Sequence, residues 1–455
     1  MADPHRLCEI VESSQGVLVG LGPVDVVIIG FPGNKFTGQI APAILELVEN
    51  RTIRIIDLLF VSKDSDGVVT TFEIADLDPE IGPSFLAVEV SQPGALDFDD
   101  AEEMRASFAE EKDRNIYSRF SNPSTSEFIQ KICALEGAED GFAFASGMSA
   151  VFSTFAALLS SGDHIISARA VFGSTHSLFS KYLPKWNIET TYFQIDELDE
   201  LESLIQPNTK IIYAETPTNP GLDIVDLERL SEIAKKHQLI LVIDNCFATP
   251  YLQTPIQHGA DIVIHSATKL IDGQGRVMGG IAVGNKELIR EIYLFSRNTG
   301  PALSPFNAWV LSKSLETLSV RLERHCDNAE KLAQFLEKHA AIHRVTYPFL
   351  DSHPKVHIAK KQMKRGGNIV TFELKGGIAS GTQFLDNIQM CSLSANLGDS
   401  RTIVTHPAST THSKLSEEDR LAVGITDGLI RVSVGLEHID DIIQDIDQAL
   451  TNSKA

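Results

Sequence analysis

An apolar run leads directly to a lysine in the stretch IVIHSATK, residues 262–269. A short apolar run bounded by polar residues is typical of a buried strand in a parallel sheet, so we expect Lys269 at the carboxyl end of a strand. The glycine-rich residues 272–280 follow. Ligands of an open α/β sheet bind beyond the carboxyl ends of its strands, and a lysine there can form a Schiff base with a carbonyl cofactor. A lysine considered in isolation is more often a solvated residue at the end of a strand.

Two more apolar runs end in polar residues. Residues 239–243 are followed by Asp244, and residues 211–214 are followed by Glu215. Helical spacing between such runs indicates that strands and helices alternate, which implies a mostly parallel sheet covered by helices. Because the carboxyl ends of parallel strands meet at one edge of a sheet, these polar residues are expected to converge with Lys269. The predicted fold class is therefore α/β.

Length, charge and hydropathy limit the classes of function. The chain has 455 residues, of which 43% are hydrophobic, which is enough for large buried cores and more than one domain. Its net charge of −22 argues against nucleic acid and anionic membranes as partners. We find no run of about 18 apolar residues, and the first residues lack the pattern of a secretory signal. We therefore expect neither a membrane span nor secretion.

The cysteine and histidine residues give no metal or disulfide pattern. The five cysteines are scattered and form no Cys-x-x-Cys pair, which favours neither a disulfide framework nor a zinc cluster and fits the reducing cytoplasm best. His265, His406 and His412 do not have the spacing of metal ligands, so no metal site is expected. Cys246, two residues after Asp244, is interpreted as a packing residue rather than a nucleophile.

Changes of pattern along the chain divide it into four segments. Prolines and acidic residues mark the linker, and the alternation of strands and helices begins after it. The predicted segments are a small α+β amino-terminal domain (residues 1–85), a linker (86–100), a large α/β domain (101–307) and a smaller α/β carboxyl-terminal domain (308–455).

Each terminal domain has its own predicted elements. The first has the β-α-β-β order of ferredoxin-like units, with strands at 24–30, 52–61 and 68–74 and a helix at 39–48. The last domain is predicted to open with one long helix at 308–339 and to close with an amphipathic helix at 439–450. Its predicted strands lie at 369–374 and 429–434.

Pyridoxal phosphate makes three demands that the residues at the predicted sheet edge can meet. It needs a lysine for a Schiff base, a carboxylate that keeps the pyridine nitrogen protonated, and donors for its phosphate, which a helix N-terminus supplies well. Lys269 and Asp244 match the first two demands, and a helix begins just after the strand predicted at 141–145. The phosphate donors predicted on this basis are Ser146, Gly147, Met148, Ser266 and Thr268.

These residues lie within longer motifs. The motifs are YSRFSNP (117–123), FASGM (144–148), VFGST (171–175), DNCF (244–247), HSATKLIDGQGR (265–276) and IRVSVGLE (430–437). With these motifs, the chain from about residue 98 to its end resembles the cysteine and methionine metabolism enzymes of pyridoxal phosphate fold type I, the aspartate aminotransferase-like fold. Within that family it is most similar to the O-succinylhomoserine sulfhydrylase branch. The cofactor that this resemblance implies is pyridoxal 5′-phosphate.

The resemblance implies roles at the cofactor. Lys269 would form the Schiff base and move the proton, Asp244 would pair with the pyridinium, and Phe172 would stack on the ring. Tyr117 and Arg119 would reach the phosphate held by the neighbouring subunit, which implies a homotetramer built from dimers that share active sites. An ordinary surface pair is the alternative for Tyr117 and Arg119, a turn cap is the alternative for Asp244, and a core residue is the alternative for Phe172.

Roles at the substrate also follow from the resemblance. Arg431 would hold the substrate α-carboxylate with two parallel N–H groups, assisted by Asn219 and Ser394. A structural ion pair is the alternative for Arg431. For Ser394 the alternative is a hydrogen bond to the backbone of its own loop.

The implied reaction is γ-replacement, in which O-succinylhomoserine and sulfide give homocysteine and succinate for methionine biosynthesis. Many relatives, lyases among them, have a tyrosine where this chain has Phe172. Because phenylalanine lacks a hydroxyl that could act as acid or base, the sulfhydrylase reaction is favoured over elimination. The acyl group is not fixed by these residues, and O-acetylhomoserine sulfhydrylase, cystathionine γ-synthase and γ-lyase activities are kept as alternatives.

The amino-terminal segment departs from the family pattern. Residues 22–78 resemble a small uncharacterised βαββ domain of bacterial proteins, whereas the relatives begin with an arm that helps to build the neighbouring active site. We interpret the segment as a regulatory or interaction module, or as a fusion that displaced the arm. A second class of function is kept for this reason, a cofactor-binding scaffold of little activity whose amino-terminal domain interacts with other molecules.

Overall fold

A computed structural model gives the structure of the chain. It describes residues 9–18, 22–30, 60–63, 69–72, 101–109, 111–112, 114–411, 413, 416–422 and 424–453. These residues divide into two compact units, Met1–Tyr117 and Ser118–Ala455.

In the described residues of the first unit there are two antiparallel strand pairs. Strands β1 (Glu9–Leu18) and β2 (Gly22–Gly30) form one pair, and β3 (Phe60–Lys63) and β4 (Val69–Phe72) form the other. Helix α1 (Ala101–Phe108) follows. The strands predicted at 24–30 and 68–74 are confirmed by β2 and β4, and β1 was not predicted.

Two predictions for this unit fall largely outside the described residues. The helix predicted at 39–48 lies outside them, and so does most of the strand predicted at 52–61. Only the end of that strand coincides with β3. The predicted β-α-β-β order therefore stays a prediction.

The second unit contains the remaining described elements. Its strands are β5 (Asp140–Phe144), β6 (His164–Ala168), β7 (Glu189–Phe193), β8 (Thr209–Glu215), β9 (Ile240–Asp244), β10 (Ile262–His265), β11 (Gly280–Gly284), β12 (Ile342–Thr346), β13 (Ile369–Leu374), β14 (Ser392–Leu393), β15 (Ile403–Thr405) and β16 (Leu429–Ser433). Its helices are α2 (Pro123–Glu136), α3 (Gly147–Leu158), α4 (Gly173–Ser177), α5 (Leu227–Lys236), α6 (Thr249–Leu252), α7 (Lys286–Thr299), α8 (Pro305–Leu315), α9 (Leu318–Leu336), α10 (Val356–Gln362), α11 (Gly377–Asn387), α12 (Glu417–Ala422) and α13 (Ile439–Asn452).

Among the described residues, seven strands form the sheet that we call the large sheet. Their order is β5-β11-β10-β9-β8-β6-β7. Strands β10, β9, β8, β6 and β7 pair in parallel, whereas β11 is antiparallel to both of its neighbours. The predicted α/β fold with a mostly parallel sheet is confirmed, and its helices pack on a core of aliphatic and aromatic residues.

A second sheet, which we call the small sheet, lies in the carboxyl-terminal part. In the described region it has five strands in the order β12-β13-β16-β15-β14. Helix α13 packs against it through Ile442, Ile446 and Leu450. The predicted strands at 369–374 and 429–434 and the predicted closing helix are confirmed.

The prediction of one helix over residues 308–339 is wrong. Helices α8 and α9 are separated by residues 316–317. At this break the guanidinium of Arg321 donates to the carbonyl oxygen of Ser314 at 3.0 Å and to that of Leu270 at 2.7 Å. A continuous helix would bind the Ser314 carbonyl in its own backbone ladder. The break thus connects the helix pair to the segment that carries Lys269.

Candidate active site

Three strands of the large sheet bring the predicted polar residues to one edge. Asp244 ends β9, and it is paired in register with Glu215 at the end of β8 and with Ile264 in β10. Lys269 lies four residues beyond the end of β10. The predicted convergence of these strand ends is confirmed, because β8, β9 and β10 run parallel.

Asp244 is a buried carboxylate that accepts hydrogen bonds from the protein. The hydroxyl of Tyr213 donates to Oδ2 at 3.2 Å, and the backbone N–H of Cys246 donates to Oδ1 at 3.0 Å. Burial raises the pKa of Asp244, while the Cys246 amide and a nearby His265 act in the opposite direction. A buried carboxylate of this kind is stabilised by a cationic partner. Burial also raises the pKa of the Cys246 thiol, which supports its interpretation as a packing residue.

Lys269 is half-buried and bonded to a loop of the small-sheet region. Its Nζ donates to the side-chain Oδ1 of Asn396 at 2.7 Å. Burial lowers the pKa of Lys269, and the charge of Arg431 lowers it further, although Cys246 acts against them. The lowered pKa favours the neutral amine, which is the form that takes up a proton.

Asn396 was not identified from the sequence. Its loop comes close to Lys269 because Gly398 has φ +73°, and a Cβ at Gly398 would lie 2.7 Å from the backbone nitrogen of Leu270. Only glycine fits this position without strain. In the sequence, the Gly398-Asp399 pair two residues after Asn396 indicates a turn. It does not indicate that this turn lies next to Lys269.

Arg431 lies in β16 and is buried, with 7% of its surface exposed. Its Nη1 donates to Oδ1 of Asn219 at 3.1 Å, and its Nη2 donates to the carbonyl oxygens of Ala395 at 3.3 Å and Asn396 at 3.2 Å. Its Nε is buried and has no hydrogen-bond partner among the described residues. Burial lowers the pKa of Arg431 to about 10. The structure therefore brings Arg431, Asn219 and Lys269 together around Asn396.

Ser394 bonds within its own loop. Its hydroxyl accepts the backbone N–H of Asn396 at 3.2 Å, and its carbonyl accepts the hydroxyl of Thr405 at 2.7 Å. These are the contacts of a loop-stabilising residue, which was the structural alternative for Ser394. In this loop the side chain bonded to Lys269 is that of Asn396.

The start of α3 faces the segment between β10 and Lys269. Ser146 is the N-cap of α3, and its hydroxyl accepts the backbone N–H of Ser149 at 3.1 Å. A Cβ at Gly147 would lie 2.7 Å from Cβ of Ser266, so the helix start packs directly on that segment. The first N–H groups of a helix have no partner within the helix and suit an anion. Gly147 and Met148 are the first two residues of α3.

Two other predicted residues belong to the same region. The hydroxyl of Thr268 is bonded to the backbone of Gly279, donating to its oxygen at 3.2 Å and accepting its N–H at 3.1 Å. Phe172 is the N-cap residue of α4. Its side chain is 44% exposed, so the ring is available to a bound molecule and is not an ordinary core residue.

Tyr117 and Arg119 lie on either side of the division between the two units. The side chain of Tyr117 is 56% exposed. Arg119 donates to the carbonyl oxygen of Arg297, and its guanidinium lies 4.8 Å from the ring centre of Phe120. Their predicted contact with a neighbouring subunit stays a prediction.

A comparison with known protein families identifies the larger part of the chain. Residues 79–451 match the family model described as Cys/Met metabolism PLP-dependent enzyme. The chain belongs to this family. The predicted family, the enzymatic nature of the chain and the pyridoxal phosphate (PLP) cofactor are thereby confirmed. A second model, described as a family of unknown function (DUF6325), matches residues 20–113 of this enzyme.

Similar proteins carry more than one activity in their names. The O-succinylhomoserine sulfhydrylase of Pseudomonas aeruginosa is 47% identical over 353 residues, which are 78% of this enzyme and 88% of that protein. The L-methionine gamma-lyase of Fusobacterium nucleatum subsp. polymorphum is 45% identical over 368 residues, 80% of this enzyme and 93% of that protein. These two relatives therefore differ in the substrate that their names give, and the substrate of this enzyme is not settled by similarity.

A solved structure confirms fold type I. It is the crystal structure of a Campylobacter jejuni protein described as an O-acetylhomoserine (thiol)-lyase, and it contains N′-pyridoxyl-lysine-5′-monophosphate. It superposes with a TM-score of 0.76 at 38% identity, covering 79% of this enzyme and 93% of that chain.

The residues present in this enzyme fit pyridoxal phosphate. The buried carboxylate of Asp244 suits the protonated pyridine nitrogen, since a cation there would offset the burial that raises the pKa of Asp244. The helix start at Gly147, packed on Ser266, offers N–H and hydroxyl donors of the kind a phosphate requires. The half-buried amine of Lys269 suits the aldehyde.

The helices of the described residues are each too short or too polar to span a membrane. Groups of three or more His, Cys, Asp or Glu side chains that could hold a metal ion are also absent from the described part of the chain.

Proposed function

We propose that the enzyme replaces the γ-substituent of O-succinylhomoserine with sulfide, giving homocysteine and succinate. The observation that carries this proposal is that Lys269 and Arg431 both donate hydrogen bonds to the same residue, Asn396. An α-amino acid has its amine and its carboxylate on the same carbon, so a substrate held by Arg431 presents its amine and Cα proton towards Lys269. The planar guanidinium can bind a carboxylate with two N–H groups.

Each residue near the substrate has a task in this proposal. Bound pyridoxal phosphate supplies the electron sink that makes the Cα proton acidic. Lys269, as a neutral amine, takes the proton from Cα and returns it at the end of the reaction. A second proton leaves Cβ as succinate departs from Cγ. Sulfide then adds at Cγ as HS⁻, and protons are returned to Cβ and Cα, so that succinate is exchanged for a thiol. Asp244 keeps a positive charge on the pyridine nitrogen.

In this proposal, separate groups of residues hold the phosphate of the cofactor and its ring. Ser146, Gly147, Met148, Ser266 and Thr268 would bind its phosphate. Phe172 would cover one face of the ring with an exposed aromatic side chain. Asn219 would orient Arg431, to which its side chain is bonded at 3.1 Å.

Replacement is favoured over elimination by the side chain at Phe172. A phenyl ring offers no hydroxyl for proton transfer at the γ-position, so departure of the substituent depends on the acylated oxygen being a good leaving group. An esterified homoserine meets this condition, and a thioether such as methionine does not. The similarity to the Pseudomonas aeruginosa sulfhydrylase, at 47% identity, also supports replacement.

A homocysteine-formation assay tests the proposal. The full chain loaded with pyridoxal phosphate is incubated with sulfide and either O-succinylhomoserine or O-acetylhomoserine. We expect homocysteine from both esters, with a higher kcat/KM for the succinyl ester. Failure to form homocysteine from either ester would refute the proposed function, and a preference for the acetyl ester would correct the acyl group.

Elimination is the second candidate function, because a methionine gamma-lyase is 45% identical. In the absence of sulfide, elimination releases 2-oxobutyrate and ammonia from the substrate after addition of water. We expect little 2-oxobutyrate from the wild-type enzyme, and more from Phe172→Tyr, which restores a hydroxyl over the ring. Rapid release of 2-oxobutyrate from methionine by the wild-type enzyme would favour elimination as its function.

We also propose a homotetramer of dimers in which Tyr117 and Arg119 reach the phosphate of the neighbouring subunit. Mixing two inactive variants tests this arrangement. If active sites are shared, Arg119→Ala and Lys269→Ala subunits should regain part of the activity when they form mixed dimers. No recovery in a mixture shown to exchange subunits would contradict shared sites.

A further inference from the structure

Glu215 is a buried carboxylate to which the sequence assigned no role. It ends β8 beside Asp244 and has 4% of its surface exposed. Its Oε2 accepts the backbone N–H of Phe172 at 2.8 Å, and its Oε1 accepts the backbone N–H of Asn219 at 3.0 Å. The two oxygens of one side chain thus bind two segments that are far apart in the sequence.

The two bonded segments carry different residues of the candidate active site. Phe172 begins α4 with an exposed ring. Asn219 lies in the turn after β8, and its side chain accepts Nη1 of Arg431 at 3.1 Å. Glu215 is therefore one hydrogen bond away from the aromatic residue and two hydrogen bonds away from the arginine.

Burying the Glu215 carboxyl group beside Asp244 costs folding free energy, which indicates that its two hydrogen bonds have a role beyond packing. Burial raises the pKa of Glu215 well above its ordinary value, and the neighbouring Asp244 raises it further. The N–H groups of Phe172 and Asn219 oppose this rise, because they bind the charged form. Two carboxylates side by side in a protein interior are unfavourable for folding, so a requirement other than packing explains the choice of glutamate.

We propose that Glu215 is a positioning residue that fixes the aromatic face at Phe172 relative to the carboxylate-binding end at Asn219 and Arg431. The proposal rests on the proposed function in that it takes Arg431 as the residue that binds the substrate carboxylate. A carboxylate is suited to this task because both of its oxygens accept hydrogen bonds. An amide has one accepting oxygen, and its nitrogen donates.

Three variants of the full-length holoenzyme separate positioning from simple stability. Glu215→Gln has the same size but can accept only one of the two N–H groups. Glu215→Asp keeps two accepting oxygens on a shorter stem. The matched control is Asp445→Asn, because Asp445 is also buried and accepts three backbone N–H groups, from Gln389, Met390 and Cys391, in the small-sheet region.

Amide hydrogen exchange gives a readout that does not depend on activity. In Glu215→Gln we expect exchange at Phe172 or Asn219 to become about tenfold faster, as loss of one hydrogen bond implies. The visible circular dichroism of the bound cofactor should change, and KM for the amino-acid substrate should rise more than kcat falls. Glu215→Asp should show the same changes to a smaller extent.

The control defines the result that would overturn the proposal. Asp445→Asn should lower the melting temperature while leaving KM, the cofactor dichroism and exchange at Phe172 and Asn219 unchanged. If Glu215→Gln behaves in this way too, Glu215 is only a structural residue and the proposal is wrong. Should the glutamine variant fail to fold, the aspartate variant carries the same test.

The proposed function and the role of Glu215 can fail separately. Exchange and cofactor dichroism are measured on holoenzyme without substrate, so they report on Glu215 even if no acylated homoserine is turned over. Absence of homocysteine formation by the wild-type enzyme would reject the proposed function alone. Unchanged exchange and dichroism in both Glu215 variants would reject the positioning role alone.

Discussion

At the scale of one residue, the hydrogen bonds of Arg431 orient its positive charge for a ligand. The oxygens bonded to its guanidinium are an amide side chain, Asn219, and two backbone carbonyls. These neutral acceptors fix its orientation without cancelling its charge, and burial alone accounts for its lowered pKa. A substrate carboxylate would therefore meet an oriented and uncompensated cation.

Replacement of Arg431 by lysine tests the hypothesis that Arg431 binds the substrate carboxylate. An ammonium group cannot bind Asn219, the loop carbonyls and a carboxylate in the same planar arrangement. We expect Arg431→Lys to raise KM for the amino-acid substrate by about tenfold to a hundredfold, equivalent to roughly 1.5–3 kcal/mol, with a smaller change in kcat. Steady-state kinetics measure both. Arg365→Lys, in a surface ion-pair group with Glu323 and Asp327, should leave KM unchanged; an equal effect of both variants would count against the carboxylate role.

His325 makes folding stability depend on pH. Its ring Nδ1–H donates to the carbonyl oxygen of Val434 at 2.7 Å, and burial lowers its pKa from 6.5 to about 4. Above pH 6.5 the histidine is neutral in the folded and unfolded chains alike, and its full contribution to stability is present. Between pH 6.5 and about 4 the unfolded chain binds a proton that the folded chain does not, so stability is lost, by roughly 3 kcal/mol in total.

Thermal unfolding at several pH values checks this expectation. The melting temperature of the wild-type chain should fall between pH 7 and pH 5, and His325→Asn should reduce that dependence. His164, His353 and His406 also have lowered pKa values from burial, so part of the dependence should persist in the variant. His357→Asn, a substitution at an exposed position, is the control. A wild-type dependence retained in full by His325→Asn would contradict the assignment.

At the scale of elements, the loop between β14 and β15 is held against the large sheet by its backbone conformation. Gly398 has φ +73° and touches the Leu270 backbone closely. The same loop carries Asn396, whose side chain binds Lys269 and whose carbonyl binds Arg431. The shape of one turn thus decides how the lysine and the arginine are spaced.

Two glycine substitutions separate the close contact from the backbone strain. Gly398→Ala should destabilise the chain through its positive φ and through a clash with Leu270. Gly424 has a similar φ of +76°, but a methyl group added there would have no neighbour within 4 Å among the described residues. We expect Gly398→Ala to cost about 1–3 kcal/mol more than Gly424→Ala and to raise KM. Denaturant unfolding and kinetics measure these effects. Equal losses of stability in both variants would show that the contact is unimportant.

The sequence predicted those elements whose signal is local. Residues 211–214, 239–243 and 262–264 are apolar runs, and each forms a buried strand because burial on both faces of a parallel sheet needs such runs. Strand β11 was missed since Gly280 and Gly284 bound a short segment that resembles a loop. The structure requires glycine at 280 because a side chain there would collide with the Ser146 carbonyl.

The missed site residues depend on distant parts of the chain. Lys269 and Asp244 could be predicted because Asp244 ends a recognisable strand and Lys269 follows another within four residues. Asn396 could not, since its contact with Lys269 joins residues separated by 127 positions. The two hydrogen bonds of Glu215 likewise depend on the path of the chain at Phe172. The break in the helix predicted at 308–339 has the same cause, because the Arg321 contacts that stabilise it come from another segment.

At the scale of the whole molecule, the described contacts around the candidate active site lie in the unit Ser118–Ala455. We propose that the smaller carboxyl-terminal domain begins near the helix break at 316–317 rather than at 308, since Ala308 and Leu311 of α8 pack into the core of the large sheet. The amino-terminal domain at 1–85 and the linker at 86–100 stay proposals.

Removal of residues 1–85 tests the independence of the catalytic part. Lys269, Asp244, Arg431 and Asn396 all lie in the second unit, so we expect the shortened chain to bind pyridoxal phosphate and to retain most of its homocysteine formation. Visible absorbance of the cofactor and the sulfide assay measure the two properties. A folded, cofactor-loaded chain without turnover would instead assign the amino-terminal domain to the assembly of the active site.

The division of the candidate site between two sheets has a consequence for how such an enzyme can diversify. Lys269 and Asp244 come from the large sheet, whereas Asn396 and Arg431 come from the small-sheet region. Inherited changes in the loop at 394–402, outside Asn396 and Gly398, are therefore expected to alter which amino acid is accepted while Lys269 and Asp244 keep their places in the large sheet. A mutant library confined to that loop is the natural starting point for selecting new substrates.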